Sequence, residues 1–401
     1  MGEIPAECTV VPPITDFRSR RLTIGLYGAV VFLYWLALYL YAPTLPTYVQ
    51  SKSADLALVG VVLSMYGLWQ AVIRLPLGIA ADWLGWRKPF ILVGIAMAGL
   101  GAWIMGAADD ARGLLLGRAI TGLGAGAWVP LVAGFSSLFP PHEAVHATAL
   151  LNLIGQFGRI LATSLTGTLN QAGGYPLAFF VASGVAALAI LLALLTQERR
   201  HASRQPSLGD IGRLIVREDV LLPALLALVS QYVNWAATFG FLPILAKSLN
   251  ASDIAQGMMV SVNIGVLILG NLAATAFALR VGVRRLVRWS FALLALGVGL
   301  AALAPSLPWL FASHFCIGLS QGIGNPVLMG MSIRYVADQE RTTAMGLHQA
   351  VYAIGMFAGP GLSGLIAEAV GIRPMFATTA LACLILGLLG TERLSEPPRS
   401  L

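Results

Sequence analysis

The sequence predicts an all-α membrane protein of twelve transmembrane helices, arranged as two pseudo-symmetric six-helix bundles. Composition is the first reason. Of 401 residues, 57% are hydrophobic and 11% charged, with a mean hydropathy of +0.80, against roughly 25% charged in a soluble domain. The second is that apolar runs of about 20 residues, enough to cross a ~30 Å hydrocarbon core, recur between residues 22 and 391. The third is an internal repeat. Gly122, Leu123, Gly126, Pro130, Gly134 and Ser136 recur as Gly318, Leu319, Gly322, Pro326, Gly330 and Ser332, an offset of 196. An offset of 197 carries Leu45-Pro46 onto Leu242-Pro243, and Gly85, Arg87 and Lys88 onto Gly282, Arg284 and Arg285. A nearly constant offset across separate helices and loops marks a duplicated unit.

The spans run 22–45, 58–80, 89–108, 113–138, 145–169, 175–196, 220–246, 255–279, 287–304, 308–333, 343–369 and 374–391. They must be helices, because open backbone groups are not tolerated in lipid and barrel strands would alternate over ~10 residues. The first 21 residues are polar, and no small-residue cleavage site follows the first apolar run, so an uncleaved first helix is expected. The widest break, Thr196 to Asp219, contains Glu198, Arg199, Arg200, Arg204, Pro206, Arg213 and Arg217 and divides the spans six and six. The expected domains are therefore 1–197, a cytoplasmic linker 198–219, and 220–401. Residues 208–217 fit either a short amphipathic helix on the membrane surface or a solvated linker.

With both termini inside, eighteen of the 25 Lys and Arg residues fall on the cytoplasmic side. Lys52, Arg112, Lys247 and Arg373 fall on the other, and Arg74, Arg118 and Arg159 lie within spans. This follows the positive-inside rule. It predicts a multi-pass protein of a cell membrane, the bacterial inner membrane, with both termini cytoplasmic. The net charge of +7 is spread over many loops, which excludes a nucleic-acid partner. Cys8, Cys316 and Cys383 have neither pairing nor metal spacing, so no metal or other cofactor is expected. No Walker-type run supports ATP-driven pumping.

Between spans 2 and 3 lies Gly78-Ile79-Ala80-Ala81-Asp82-Trp83-Leu84-Gly85-Trp86-Arg87-Lys88, an acid at a helix end, a Gly turn and a basic pair. Its spacing resembles the loop signature of the major facilitator superfamily, and 282–285 is a degenerate copy. Arg118, Gly122 and Gly124, together with Arg74, Pro76 and Gly78, resemble motifs of that family's twelve-helix drug/proton antiporter branch. That branch's fifth-helix Gly-Pro stands here as Gly158-Arg159, while Gly359-Pro360 lies in span 11. The resemblance covers essentially the whole chain. It implies the major facilitator fold and secondary transport, by antiport and alternating access. It further implies that Asp82 locks the inner side, with Arg87 and Lys88 as its electrostatic surroundings. Asp82 is placed to cap the N-terminus of span 11 near Thr342 and Thr343, where the helix carries about +0.5 of a charge. Gly355, Gly359, Pro360 and Gly364 read either as a rocking seam or as tight packing.

Solute chemistry must come from polar groups inside spans. Asn152, Gln156, Arg159, Thr163, Thr166 and Asn170 share one face of span 5. An Arg at mid-span costs ~2.5–3.5 kcal/mol even on the lenient insertion scale, and all eighteen acids fall in loops or at span ends. A solute anion or neighbouring amides and carbonyls must therefore neutralise Arg159. Span 7 offers Gln231, Asn234 and Thr238 beside Tyr232, Trp235 and Phe239; span 10 offers His314, Gln321 and Asn325; span 1 offers Trp35 and Tyr39. Rings interleaved with amides and one cation suit an amphipathic organic solute; hydrogen bonding between helices, worth ~0.6 kcal/mol on average, is the alternative. The candidate cavity residues are Trp35, Tyr39, Asn152, Gln156, Arg159, Gln231, Tyr232, Trp235, Gln321 and Asn325. His314, at the place of Arg118 in the repeat, is the candidate for proton coupling, the alternative being a packed histidine.

His142-Glu143-Ala144-Val145-His146 matches the zinc-protease helix signature. No Asp, Glu or His occurs between His146 and Glu198 to supply a third ligand, and at the 197 offset the segment falls on Gln339-Glu340-Arg341-Thr342-Thr343. Glu143 is then a first-turn acid. The expectation is a monomeric transporter, not an enzyme, exporting amphipathic organic compounds. Organic-anion uptake or exchange, or facilitated diffusion on Arg159, is the alternative, with an intramembrane metalloprotease a remote one.

Overall fold

The computed structural model describes residues 17–140, 143–196, 198, 213–336 and 341–394. Helices α1 (Phe17–Tyr39) and α2 (Leu45–Lys52) form span 1, α3 (Leu56–Leu84) span 2 and α4 (Lys88–Gly106) span 3. Span 4 is α5 (Ala111–Gly124) and α6 (Trp128–Ser136), joined by a tighter turn at Ala125–Ala127. Helix α7 (Ala144–Leu195) runs through spans 5 and 6. In the second half, α8 (Glu218–Ala236) and α9 (Leu242–Ser248) make span 7, and α10 (Asp253–Val281), α11 (Val283–Leu303), α12 (Leu307–Ile333), α13 (Arg341–Val370) and α14 (Ile372–Glu392) make spans 8 to 12.

Ten described stretches are long and apolar enough to cross a membrane. One of them covers 50 residues, ~75 Å at 1.5 Å per residue, which no bilayer accommodates as one rod. It breaks at Gly173 (φ −151°, ψ 21°) and Gly174 (φ 72°, ψ 179°), separating spans 5 and 6. Helix α12, whose buried face carries Ser313, His314, Ser320, Gln321 and Ser332, completes the twelve. Span 1, drawn as one helix from the sequence, is broken between Tyr39 and Leu45, whereas spans 4 and 7 run through as the sequence reading drew them, with a tighter turn at Ala125–Ala127 and a π-turn at Ala237–Phe241. Pro46, Pro130 and Pro243 each remove a backbone donor near these irregularities.

Helix packing repeats with the sequence. Span 1 packs on 5 as 7 on 11, 2 on 4 as 8 on 10, 3 on 4 as 9 on 10, and 3 on 6 as 9 on 12. The halves meet along two seams, span 2 with 11 and span 5 with 8, which the same operation exchanges. Glycines set these approaches. A Cβ on Gly122 would stand 3.0 Å from Met65 O, and one on Gly318 2.3 Å from Asn263 O. Across the seams, Gly60 meets Gly364 and Gly257 meets the Thr163–Gly167 segment, again related by the offset of 197. Two bundles related by a pseudo-twofold are the architecture of the chain.

The basic turn has a partner that the sequence reading did not name. Gly85 caps α3 in the left-handed region (φ 69°), its N–H donating to Ala81 O. The Glu198 carboxylate accepts the backbone N–H of Arg87 (2.5 Å) and of Lys88 (2.8 Å), satisfying open donors at the start of α4. Lys88 Nζ donates to Leu194 O and Thr196 O, both at 2.7 Å, and Arg87 Nη1 to Ala133 O at 3.0 Å. In the second half Arg284 donates to Thr391 O at 2.9 Å, and Arg284 and Arg288 pair with Glu392. Each basic turn thus ties the start of the third helix of its half to the end of the sixth. The side chains of Asp82 and Thr342 lie outside the described residues, as do residues 208–212 of the linker and His142.

Candidate functional site

Trp35 and Tyr39 stand one turn apart on α1, next to the break in span 1. Helix α7 comes against them through Gly155 and Gly158: a Cβ on Gly155 would stand 2.7 Å from Trp35 Cδ1, and one on Gly158 2.6 Å from Phe32 O. That approach lays Arg159 against the aromatic wall. Its guanidinium carbon is 3.5 Å from the centroid of the Trp35 ring and 5.0 Å from that of Tyr39, and Nη1 donates to Gln156 Oε1 at 3.3 Å. Such cation–π contacts are worth ~0.5–1 kcal/mol when exposed and ~2 or more when desolvated, which offsets part of the cost of a cation in lipid.

The rings continue across the molecule. Trp35 meets Trp128 at 5.2 Å, Tyr39 meets Phe239 of the other half at 5.8 Å, and Tyr66 stacks on Trp235 at 5.3 Å. Arg118 lies 4.2 Å over the Tyr66 ring. On the second half the polar groups form a closed amide set. Gln231 Nε2 donates to Gln321 Oε1 and Asn325 Oδ1, both at 3.3 Å, Asn325 Nδ2 to Gln321 Oε1 at 2.9 Å, and Gln321 Nε2 to Ser230 Oγ at 2.9 Å.

The two seams are closed to different depths. The span 2–11 seam is held from Leu56 N–H on Glu368 Oε2 (2.7 Å) to Arg74 Nη1 on Tyr352 OH (2.5 Å), eighteen residues or ~27 Å along α3. The span 5–8 seam runs from Asn170 Nδ2 on Asp253 Oδ2 (2.9 Å) to Thr163 Oγ1 with Ser261 Oγ (2.6 Å), seven residues or ~10 Å. A Cβ on Gly265, one turn beyond, would meet open space. Arg159 is one turn past Thr163, half-buried where the seam parts, with Gln156 beside it and Asn152 exposed a turn further on. The parted end is the one that carries the basic turns.

Of the sequence candidates, the structure brings together Trp35, Tyr39, Gln156 and Arg159 on one wall and Gln231, Gln321 and Asn325 on another, with Trp235 in the ring layer between halves. Asn152 donates to its own helix, at Thr148 O. Tyr232 turns into its own half, its hydroxyl 3.2 Å from Ser363 Oγ and its backbone against Gly359. Pro360 O faces Gly60 across the seam of spans 2 and 11, and Gly78 faces Val129 within the first half. His314 is enclosed, Nδ1 at 2.9 Å from Leu310 O, between spans 8 and 10 of its own half. It and Arg118 each lie seven residues past the first residue of their helices, as the repeat requires. His146 is exposed, and no group of three His, Cys, Asp or Glu among the described residues could hold a metal.

Sequence reasoning missed the partner of Arg74, the roles of Tyr66 and Trp128, and the outer contacts of Asp253 and Glu368. Arg74 carried a signal as a cation within a span; Tyr352 carried none, because nothing in the chain order says which helices of the two halves touch.

The family model described as Major Facilitator Superfamily matches residues 28–232 and 224–400. The inner membrane transport protein YajR of Escherichia coli is 26% identical over 95% of this chain and 84% of its own length. The multidrug resistance protein MdtG of Citrobacter koseri is 27% identical over 90% of this chain and 92% of its own. Among solved structures, the nucleoside transporter NupG superposes with a TM-score of 0.79 at 16% identity, covering 92% of this chain and 99% of that one, a likeness of fold alone.

Proposed function

The chain belongs to the major facilitator superfamily, and on that premise we propose that it exports an amphipathic organic compound by alternating access to one solute site between its bundles. It is an integral multi-pass membrane transporter, as its relatives are, and not an enzyme. The observation that carries the proposal is the position of Arg159: a cation on an aromatic wall, at the depth where one seam between the halves parts. Such a place is reachable from one face and sealed from the other, which alternating access requires of a solute site.

Direction rests on two supports. The parted end carries the Arg-rich turns, which the positive-inside rule assigns to the cytoplasm, so this conformation is the one in which an exporter would load its solute. A relative is named for multidrug resistance. Proton coupling is assigned to His314, whose Nε2 has no hydrogen-bond partner among the described residues, and the working unit is a monomer. Uptake of a labelled amphipathic probe into inside-out proteoliposomes, with and without an imposed pH gradient, tests the scheme. Saturable flux that the gradient accelerates is expected, and His314→Gln should remove the acceleration while sparing exchange. Absence of flux above empty liposomes would overturn the transport reading; flux unaffected by the gradient would overturn the coupling.

A further inference from the structure

Resting on the reading of the α1–α7 wall as the solute site, we propose that the transported compound is an aromatic organic anion. Its acid group sits on the Arg159 guanidinium and its ring against Trp35 and Tyr39.

Charge balance is the first argument. The first half holds three guanidiniums inside its spans, Arg74, Arg118 and Arg159, and none of the ion pairs among the described residues includes them. The acids among the described residues lie in loops or at helix ends. Each interior cation faces rings or neutral oxygens instead. Intramembrane cations are normally paired with an opposite charge or with carbonyls, and here no acid among the described residues lies inside a span to pair with them.

Hydrogen-bond capacity gives the second argument. In the spans of the first half, the buried polar atoms without a partner include Trp35 Nε1, Arg74 Nε, Arg118 Nε and Arg159 Nε, four donors, against the acceptors Gln70 Oε1 and, at the far end, Asn170 Oδ1, and the Tyr41 hydroxyl. The unfilled capacity is for acceptors. The amides of the second half are neutral and bonded to one another, so they offer a solute no countercharge.

Accessibility selects among the three cations. Arg74 is 8% exposed and engaged by Tyr352, and Arg118 is 4% exposed under Tyr66. Arg159 is half-buried at the depth where the seam parts, so one negative charge is matched. Nη1 of Arg159 donates to Gln156 Oε1 and Nε is buried without a partner among the described residues, so the guanidinium keeps unused donor capacity, which a carboxylate fills with charge-assisted hydrogen bonds. The flanking rings of Trp35, Tyr39, Trp128 and Phe239 then favour an aryl body over a flexible polar one. A lipophilic cation at the same wall meets like charge.

The test uses the purified full-length chain in nanodiscs and three probes: 2-naphthoate, its neutral analogue of the same size 2-naphthamide, and the bulkier lipophilic cation tetraphenylphosphonium. Calorimetric titration should show 2-naphthoate binding at least tenfold more tightly than the amide. Arg159→Gln should erase that preference while leaving the amide within twofold, and Arg159→Lys, which also serves if the Gln variant fails to fold, should keep part of it. In proteoliposomes the permanently charged 2-naphthalenesulfonate should be carried by the native chain and not by Arg159→Gln. If tetraphenylphosphonium or the amide is carried and the acids are not, the anion inference fails while transport stands. If no probe binds or crosses, the wall is not a solute site and the reading beneath the inference fails with it.

Discussion

At the scale of single residues, the contact with the sharpest consequence is Arg74 with Tyr352, since it joins the halves and lies nearest the parted end of its seam. A charge-assisted hydrogen bond of this kind is worth ~1.5–3 kcal/mol, and a bond present in only one of two conformations shifts their ratio by ~10-fold or more. Tyr352→Phe should therefore raise the share of molecules open at the far face, read as faster labelling of a cysteine introduced at Ala251, which is buried there; unchanged labelling would mean that the bond persists in both states. Trp35 and Arg159 were legible in the sequence because both lie on polar or aromatic stripes at helical spacing, and that spacing fixes which residues share a face. Tyr232 shows the limit of the same logic. It shares a face of span 7 with Gln231 and Asn234 only approximately, and Gly359 of span 11 draws it into packing within its own half.

At the scale of helices, the device is a carboxylate that closes each bundle at its basic end. Glu198 bonds two open N–H groups at the start of α4 and lies by Lys88, and Glu392 pairs with Arg284 and Arg288 at the start of α11. Caps of this type are worth ~0.5–2 kcal/mol. Glu198→Gln should lower the melting temperature of the purified protein without changing which solutes it binds; a loss of binding at unchanged stability would instead make the turn part of the solute path. Glu198 was read as a charge in a linker, because its partner helix begins 110 residues earlier and only the return of span 6 to span 3 brings them together. The glycine seams were legible as small residues at four-residue spacing, but not their partners. Gly67 now has one: a Cβ there would stand 2.5 Å from Met356 C. Gly67→Leu should force spans 2 and 11 apart and abolish flux, with the protein still inserted and monodisperse on size exclusion; full activity would show that the seam is not rigid.

At the scale of the molecule, the duplicated unit read from the offset of 197 reappears as packing, since every major helix pair in the first half has its counterpart in the second. What the sequence could not carry is the departure from that symmetry: one seam closed over ~27 Å and the other over ~10 Å, which is a property of a conformation and not of a fold. Alternating access requires the two ends to exchange these roles when solute binds. The direct measurement is electron–electron distance spectroscopy on a variant lacking Cys8, Cys316 and Cys383, spin-labelled in separate samples as Trp83→Cys with Tyr335→Cys at the basic end and Asp109→Cys with Asn250→Cys at the far end, positions that are all exposed. Solute should shorten the first distance and lengthen the second in the same sample conditions. Distances that both stay fixed, or that move in the same sense, while flux continues would contradict the account.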